Sequence, residues 1–128
     1  MITGVVNSDM EAMIRLRLEG PTGTVREIDA TIDTGFNGYL TLPPDLVREL
    51  SLQRIARGRA IVAHGGQEIF DICRVTLFWD GDRRVVETTS LKNAPLVGMG
   101  LLYGHDLLIH VEEGGGVFIE ARDHDDAH

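Results

Sequence analysis

The sequence predicts an all-β domain whose strands close, or nearly close, into a barrel that carries one or two short helices. Two observations predict this fold. Apolar and polar residues alternate in several short segments, which is the pattern of strands with one buried face. Turn residues separate these segments, since the chain has 15 Gly and only 5% aromatic residues, a composition typical of a β-rich fold with tight turns. The length of 128 residues, 43% of them apolar, fits a single domain of about seven or eight strands.

The first half of the chain predicts three strands. Residues 13–19 alternate so that Ile14, Leu16 and Leu18 share one face, as in a half-buried antiparallel strand. After a Gly- and Pro-containing turn at residues 20–23, a second strand covers residues 25–32. A short apolar strand follows at residues 39–42, and two prolines end it because proline has no backbone N–H to donate.

Residues 44–52 are the best helix candidate in the sequence. Pro44 suits the first turn, where the backbone N–H has no partner in any case, and Asp45 favours a helix N-terminus. Residues 59–63 and 67–79 then flank Gly65 and Gly66, which predicts a long hairpin with a glycine-rich tip.

The second half predicts shorter elements. Asp80-Gly81-Asp82 predicts a hairpin turn before a strand at residues 85–89. Residues 96–98 end an apolar strand, residues 99–103 begin a short helix, and residues 107–111 and 117–121 alternate like strands. We assign residues 1–121 to the domain and expect residues 122–128 to be an acidic, mobile tail.

Charge and cysteine content exclude several classes of protein. The net charge is −8 and no basic run exceeds two residues, so we expect no nucleic-acid partner. No apolar stretch approaches the length of a membrane span, and residues 1–9 do not resemble a signal peptide. Cys73 is the only cysteine, which favours a reducing compartment. We therefore expect a soluble, cytoplasmic protein with no membrane partner.

The Asp33-Thr34-Gly35 triplet is the most informative feature of the chain. It follows the predicted strand at residues 25–32 and precedes a second glycine, Gly38. Most surface aspartates lie on solvated faces, whereas this carboxyl is delivered by a strand into a glycine-flanked turn. The arrangement suits the active site of an aspartic peptidase, although the chain supplies only one such triplet.

The order of motifs resembles that of the retropepsin-like aspartic peptidases, in particular their bacterial single-domain relatives. Three features carry the resemblance over residues 14–120: the triplet with its flanking strands, the later Leu96-Val97-Gly98, and the glycine-rich hairpin between them. The resemblance implies a closed acid-protease barrel and an aspartic endopeptidase. It also implies a homodimer, because each chain of such a protein gives one Asp and peptide hydrolysis uses one carboxyl as general base and a second as general acid.

The resemblance also implies roles for particular residues. Asp33 is expected to face its symmetry mate, with Thr34 forming hydrogen bonds across the interface and Gly35 lying against the carboxyl. Leu96, Val97 and Gly98 are expected to support the catalytic loop from beneath. Substrate-binding residues are expected next to the triplet and in a flap over the peptide: Phe36, Ala63, His64, Gly65 and Gly66. The implied partner is a peptide or protein substrate, and no cofactor or metal is implied.

Other interpretations of the same residues remain open. Asp33 can be an ordinary turn residue, since Asx-type turns with Gly are common, and the His64-Gly65-Gly66 tip can be a plain hairpin turn. The chain can also be a catalytically inactive dimer that acts as a binding or scaffolding module, or a small β-barrel unrelated to peptidases. Phe36 motivates the inactive dimer, because viral members place a small residue after the triplet. We expect Cys73, in an apolar run, to be a buried structural thiol.

Overall fold

The computed structural model describes residues 1–61 and 64–123, with the backbone alone for residues 60 and 61. This part of the chain is mostly β-structure, with ten strands and two short helices. The strands are β1 (Ile2–Val6), β2 (Ala12–Glu19), β3 (Val25–Ile32), β4 (Leu40–Leu42), β5 (Arg54–Ile61), β6 (Gln67–Trp79), β7 (Asp82–Ser90), β8 (Leu96–Val97), β9 (His105–Ile109) and β10 (Gly116–Ala121). The helices are α1 (Pro44–Glu49) and α2 (Met99–Leu102).

All ten strands belong to one sheet. Their order is β5-β6-β7-β4-β8-β3-β2-β1-β10-β9, and β6 also pairs with β2. The additional pairing joins β6, β7, β4, β8, β3 and β2 in a ring, which agrees with the predicted all-β class. Closure of this ring into a true barrel stays a prediction.

Beyond the ring, β1, β10 and β9 extend the sheet as antiparallel neighbours. Ile2 pairs with Ile119, and Ile119 pairs with Leu107 on the other side. β1 also pairs with β2, which attaches this extension to the ring. Strands β5 and β9 are the two ends of the strand order.

The two-residue strand β8 has a special position, because it lies between β3 and β4. It runs parallel to β3, with Ile32 opposite Val97, and antiparallel to β4, with Leu40 opposite Val97. The loop that connects β3 to β4 begins at Asp33. A strand from much later in the chain therefore lies beside both ends of the Asp33 loop.

The core is built from the inward faces of the strands and from both helices. In β2, Ile14, Leu16 and Leu18 are buried, and Arg15 and Arg17 are exposed, as the alternation predicts. The other large side chains that are fully buried come from both halves of the chain: Leu40, Leu42, Leu50, Val75, Leu77, Val97, Leu101, Val117 and Ile119. Burial of these side chains is the main stabilising contribution to the fold.

The largest errors in the strand predictions are at β1 and β5, and the expected count of seven or eight strands was too low. β1 was missed because its sequence, ITGVV, lacks a clear alternation and contains Gly4. A side chain at Gly4 would lie 1.9 Å from the Met13 carbonyl oxygen, so glycine permits the close approach of β2 there. β5 begins at Arg54 rather than at residue 59. The prediction missed the first half of β5 because this half is an exposed, arginine-rich edge without apolar alternation.

Two further strands have other bounds than predicted: β7 covers Asp82–Ser90 rather than residues 85–89, and β9 covers His105–Ile109 rather than residues 107–111. Helix α1 ends at Glu49, because Ser51 adopts a left-handed conformation with φ of 55°. The prediction of a buried Cys73 is confirmed, since its side chain is 1% exposed. The predicted tail at residues 122–128 lies largely outside the described residues. Of the helices in the described part of the chain, none has the length and apolar character needed to cross a membrane.

Candidate active site

Asp33 stands at the point where β3 leaves the sheet. Ala30 is buried and Ile32 packs partly against the core, so the strand is firmly seated up to the residue before Asp33. The Asp33 side chain is itself half-buried, and Thr34 and Gly35 are exposed. The last residues of β3 therefore present a carboxyl at the rim of the fold, although Ala30 is the only fully buried residue of this strand.

Backbone hydrogen bonds fix the Asp33 loop. The Asp33 N–H donates to the Val97 carbonyl oxygen at 2.9 Å, and the Phe36 N–H donates to the Asp33 carbonyl oxygen at 3.1 Å. The Gly35 N–H donates to Oδ1 of the Asp33 carboxylate at 2.9 Å. One carboxylate oxygen is thus held by the loop, and within the described residues the carboxylate has no ion-pair partner and no other hydrogen bond.

Gly35 donates a hydrogen bond to the Asp33 carboxylate and leaves room for it. A Cβ at this position would lie 3.2 Å from Asp33 Oδ1, which is tighter than ordinary contact. Its backbone does not require glycine, because Gly35 is not among the glycines with positive φ. Glycine is therefore favoured here because it lets the carboxylate lie directly against the loop backbone.

The Thr34 hydroxyl has no hydrogen-bond partner in the part of the chain that the structure describes. Its side chain is exposed beside Asp33, so it is open to a partner outside this chain. The expectation that Thr34 bonds across a dimer interface stays a prediction.

Phe36 packs back onto the loop. A Cβ added at Gly38 would lie 2.5 Å from Phe36 Cζ, and one added at Gly98 would lie 2.5 Å from Phe36 Cδ2. The ring therefore covers two glycines, one from its own loop and one from the segment after β8. Phe36 is half-buried, so it has a packing role in addition to the predicted substrate contact, which stays a prediction.

The predicted support segment does lie against the Asp33 loop. Val97 accepts the Asp33 N–H, and the Gly98 N–H donates to the Tyr39 carbonyl oxygen at 3.0 Å. Leu96 is bound from the other side, where its N–H donates to Thr41 Oγ1 at 3.0 Å. The structure thus brings Asp33 and residues 96–98 together, although they are some sixty residues apart in sequence.

Solved structures provide one comparison for this geometry. The chain is similar to the crystal structure of a retropepsin-like aspartic protease from Rickettsia conorii, with a TM-score of 0.60 and 14% sequence identity. The similarity covers 95% of this chain and 91% of that chain. The chain has a retropepsin-like fold. No protein-family model and no curated protein matches it.

Within this retropepsin-like fold, helix α2 also holds the Asp33 loop, which the sequence analysis missed. The Met99 N–H donates to the Phe36 carbonyl oxygen at 2.8 Å, and the Gly100 N–H donates to the Gly38 carbonyl oxygen at 3.0 Å. The feature of the sequence that could have indicated this contact is the pair Gly98 and Gly100, because two glycines separated by one residue let a second backbone approach closely. These bonds extend the support from the two residues of β8 into α2.

The predicted flap corresponds to the hairpin of β5 and β6. Its last residue pair is Ile61 with Gln67, and Gly65 has φ of +84°, which favours glycine. His64 and Gly65 are exposed and Gly66 is half-buried, whereas Ala63 lies outside the described residues. In the described part of the hairpin, no hydrogen bond joins its tip to the Asp33 loop.

An aromatic side chain packs across this hairpin away from the tip. Phe70 lies opposite Gly58, and a Cβ at Gly58 would lie 2.2 Å from the Phe70 ring. The ring therefore covers the glycine of the neighbouring strand, an arrangement known to support strand pairing. The arm of the predicted flap therefore contains a cross-strand contact that supports its strand pairing.

Two other chemical possibilities gain no support from the geometry. No group of three or more His, Cys, Asp or Glu side chains within residues 1–61 and 64–123 is placed to hold a metal ion. Burial, and secondarily the Asp71 carboxylate, raises the pKa of the Cys73 thiol, while Arg54 lowers it in part. A thiol whose pKa is raised is a poor nucleophile at neutral pH.

Proposed function

We propose that the protein is an aspartic endopeptidase whose active site forms when two copies of the chain bring their Asp33 residues together in a homodimer. The observation that carries the proposal is the held Asp33 carboxylate, which has one oxygen on the Gly35 N–H and no cationic partner among the described residues. The retropepsin-like fold supports the same conclusion. Its substrate class is a peptide or an unfolded protein segment.

The need for a second copy follows from the chemistry. Hydrolysis of a peptide bond through water requires a base that takes a proton from the water and an acid that gives one to the carbonyl oxygen. A single Asp33 carboxyl cannot perform both roles at once. Two carboxyls in contact cannot both ionise, so the pair shares one proton and supplies both the acid and the base.

A twofold axis through the pair would make the interface isologous, as in closed dimers. Thr34 is exposed and lacks a partner in the described part of its own chain, which suits a hydrogen bond to the second copy. A cytoplasmic location remains the prediction that the sequence makes.

Substitution of Asp33 tests the proposal. We expect Asp33→Asn to reduce cleavage of an unstructured peptide library by at least about a hundredfold, because the substitution removes the titrating group. Asp29→Asn is the matched control, since Asp29 is an exposed carboxylate on β3, the strand that leads to Asp33, and its loss changes the charge equally. Circular dichroism and sedimentation then check the fold and the dimer.

A tandem-linked dimer sharpens the test. With Asp33→Asn in only one of two covalently joined copies, activity should fall as far as in the double variant, because a dyad needs both carboxyls. Half of the activity in the single variant, or undiminished cleavage in Asp33→Asn itself, would contradict a shared dyad.

A second candidate function is a dimeric binding or scaffolding module without catalysis. Phe36 favours it, because a half-buried aromatic ring next to Asp33 takes room that a small residue would leave to a peptide. This candidate predicts a dimer that cleaves no member of the library, and a Phe36→Ala variant that remains inactive.

A further inference from the structure

Thr41 is one of two buried polar side chains in the described part of the chain. It is the middle residue of β4 and is 1% exposed, and the other is Thr88, also 1% exposed. A buried hydroxyl is favourable only when it is hydrogen-bonded. The bond that each threonine makes therefore indicates what it does in the fold.

The Thr41 hydroxyl holds strand β8. Its Oγ1 accepts the Leu96 N–H at 3.0 Å. β4 and β8 are joined by only two residue pairs, Leu40 with Val97 and Thr41 with Leu96. In so short a ladder, one additional bond from a fully buried side chain is a large share of the total.

The strand that Thr41 holds is the strand that holds Asp33. Val97, the residue after Leu96, accepts the Asp33 N–H at 2.9 Å, and Pro95, the residue before, accepts the Thr31 N–H at 2.9 Å. A shift of β8 relative to β4 therefore carries the backbone of Asp33 with it.

We infer that Thr41 is a positioning residue that sets the location of the Asp33 carboxyl through β8. The inference rests on the proposed peptidase function and adds Thr41 to the residues that hold Asp33 in place. In a symmetric dyad every substitution occurs in both chains, so an error in the position of one Asp33 is matched by an equal error in the other. The separation of the two carboxyls is thus doubly sensitive to Thr41.

Three variants test the inference by their effect on kcat. Thr41→Val keeps the side-chain shape and removes the acceptor, and we expect kcat to fall roughly ten- to a hundredfold with KM nearly unchanged, because misplacement of reacting groups slows the chemical step. Thr41→Ser keeps the hydroxyl and should restore kcat to near the wild-type value.

Thr88→Val is the matched control. Thr88 is buried to the same degree and donates to the Leu40 carbonyl oxygen at 3.0 Å, so it links β7 to β4 and does not reach β8. We expect it to lower stability as much as Thr41→Val does and to leave kcat unchanged. An equal fall of kcat in the two valine variants, or no recovery with Thr41→Ser, would overturn the inference.

Amide hydrogen exchange separates this inference from the proposed function. Thr41→Val should accelerate exchange of the Leu96 and Asp33 amides, and Thr88→Val should not. If the wild-type protein cleaves no peptide, the proposed function fails, and the exchange pattern still decides the positioning role. Unchanged exchange at Asp33 in Thr41→Val would refute that role.

Discussion

Gly98→Ala is the substitution that most directly tests how the Asp33 loop is held. Gly98 has φ of −102° and ψ of −179°, an extended backbone that alanine adopts without strain. The effect of the substitution therefore comes from space alone. An added Cβ would lie 2.3 Å from the Gly38 carbonyl oxygen and 2.7 Å from the Phe36 carbonyl oxygen.

The magnitude follows from these distances. Carbon and oxygen atoms pack at about 3.3 Å or more, so the two segments must separate by roughly 1 Å. The bonds from Met99 to Phe36 and from Gly100 to Gly38, now 2.8 and 3.0 Å, would then exceed hydrogen-bond length. Each of the two lost bonds costs about 1–3 kcal/mol, so the free energy of unfolding should fall by about 2–6 kcal/mol.

Urea denaturation followed by circular dichroism measures this loss. Gly35→Ala is a milder control. Its added Cβ would lie 3.2 Å from the Asp33 Oδ1 side-chain oxygen and not against a backbone carbonyl. We expect this substitution to lower the free energy of unfolding by less than about 1.5 kcal/mol. Adding Phe36→Ala to Gly98→Ala should not restore stability, since the two backbone carbonyl contacts remain. A loss below about 1 kcal/mol for Gly98→Ala would refute the reasoning.

Two further predictions concern other parts of the fold. The Trp79 Nε1–H donates to His105 Nε2 at 3.1 Å, while His105 Nδ1 bonds to the Tyr103 carbonyl oxygen at 2.9 Å. His105→Leu leaves the buried Trp79 N–H without an acceptor, so it should lower the free energy of unfolding by about 1–3 kcal/mol. A double-mutant cycle with Trp79→Phe, measured by urea denaturation, should show positive coupling between the two residues; strict additivity would contradict it. Because burial raises the pKa of Cys73, the folded state binds the thiol proton more tightly than the unfolded state does. The resulting contribution to the free energy of unfolding is complete below about pH 8.5 and is lost as pH rises through the folded pKa. Stability should consequently decline more steeply above pH 8.5 in the wild-type protein than in Cys73→Ala, and parallel pH profiles would disprove this assignment.

Local sequence patterns predicted the strands in which apolar and polar residues alternate over several positions. The strand Val25–Ile32 was predicted with its observed bounds, because its apolar positions alternate and a glycine turn precedes it. The patterns failed where neighbouring strands, rather than the segment itself, impose the structure. β1 contains Gly4, which β2 approaches closely, and the start of β5 is an exposed edge that pairs with β6.

The sequence predicted the contact between Asp33 and residues 96–98, and it did not predict the other contacts that hold the Asp33 loop. Asp33 and Val97 were both identified, and the structure joins them by a hydrogen bond. The contributions of Thr41 and of the α2 amides were missed, because they depend on contacts between segments about 55–65 residues apart in sequence. The packing of Phe36 on Gly98 was missed for the same reason, since no local pattern reports which distant glycine a ring will cover.

The bonding of the Asp33 loop also bears on what a second copy contributes. Asp33 makes hydrogen bonds with three residues of its own chain, Val97, Gly35 and Phe36. Because these bonds hold the loop within one chain, we expect association to spend little free energy on fixing it. Within residues 1–61 and 64–123, no second carboxyl lies in hydrogen-bond contact with Asp33, and the Thr34 hydroxyl has no hydrogen-bond partner. In the proposed dimer, the partner thus supplies chemistry to a loop that the single chain has already placed.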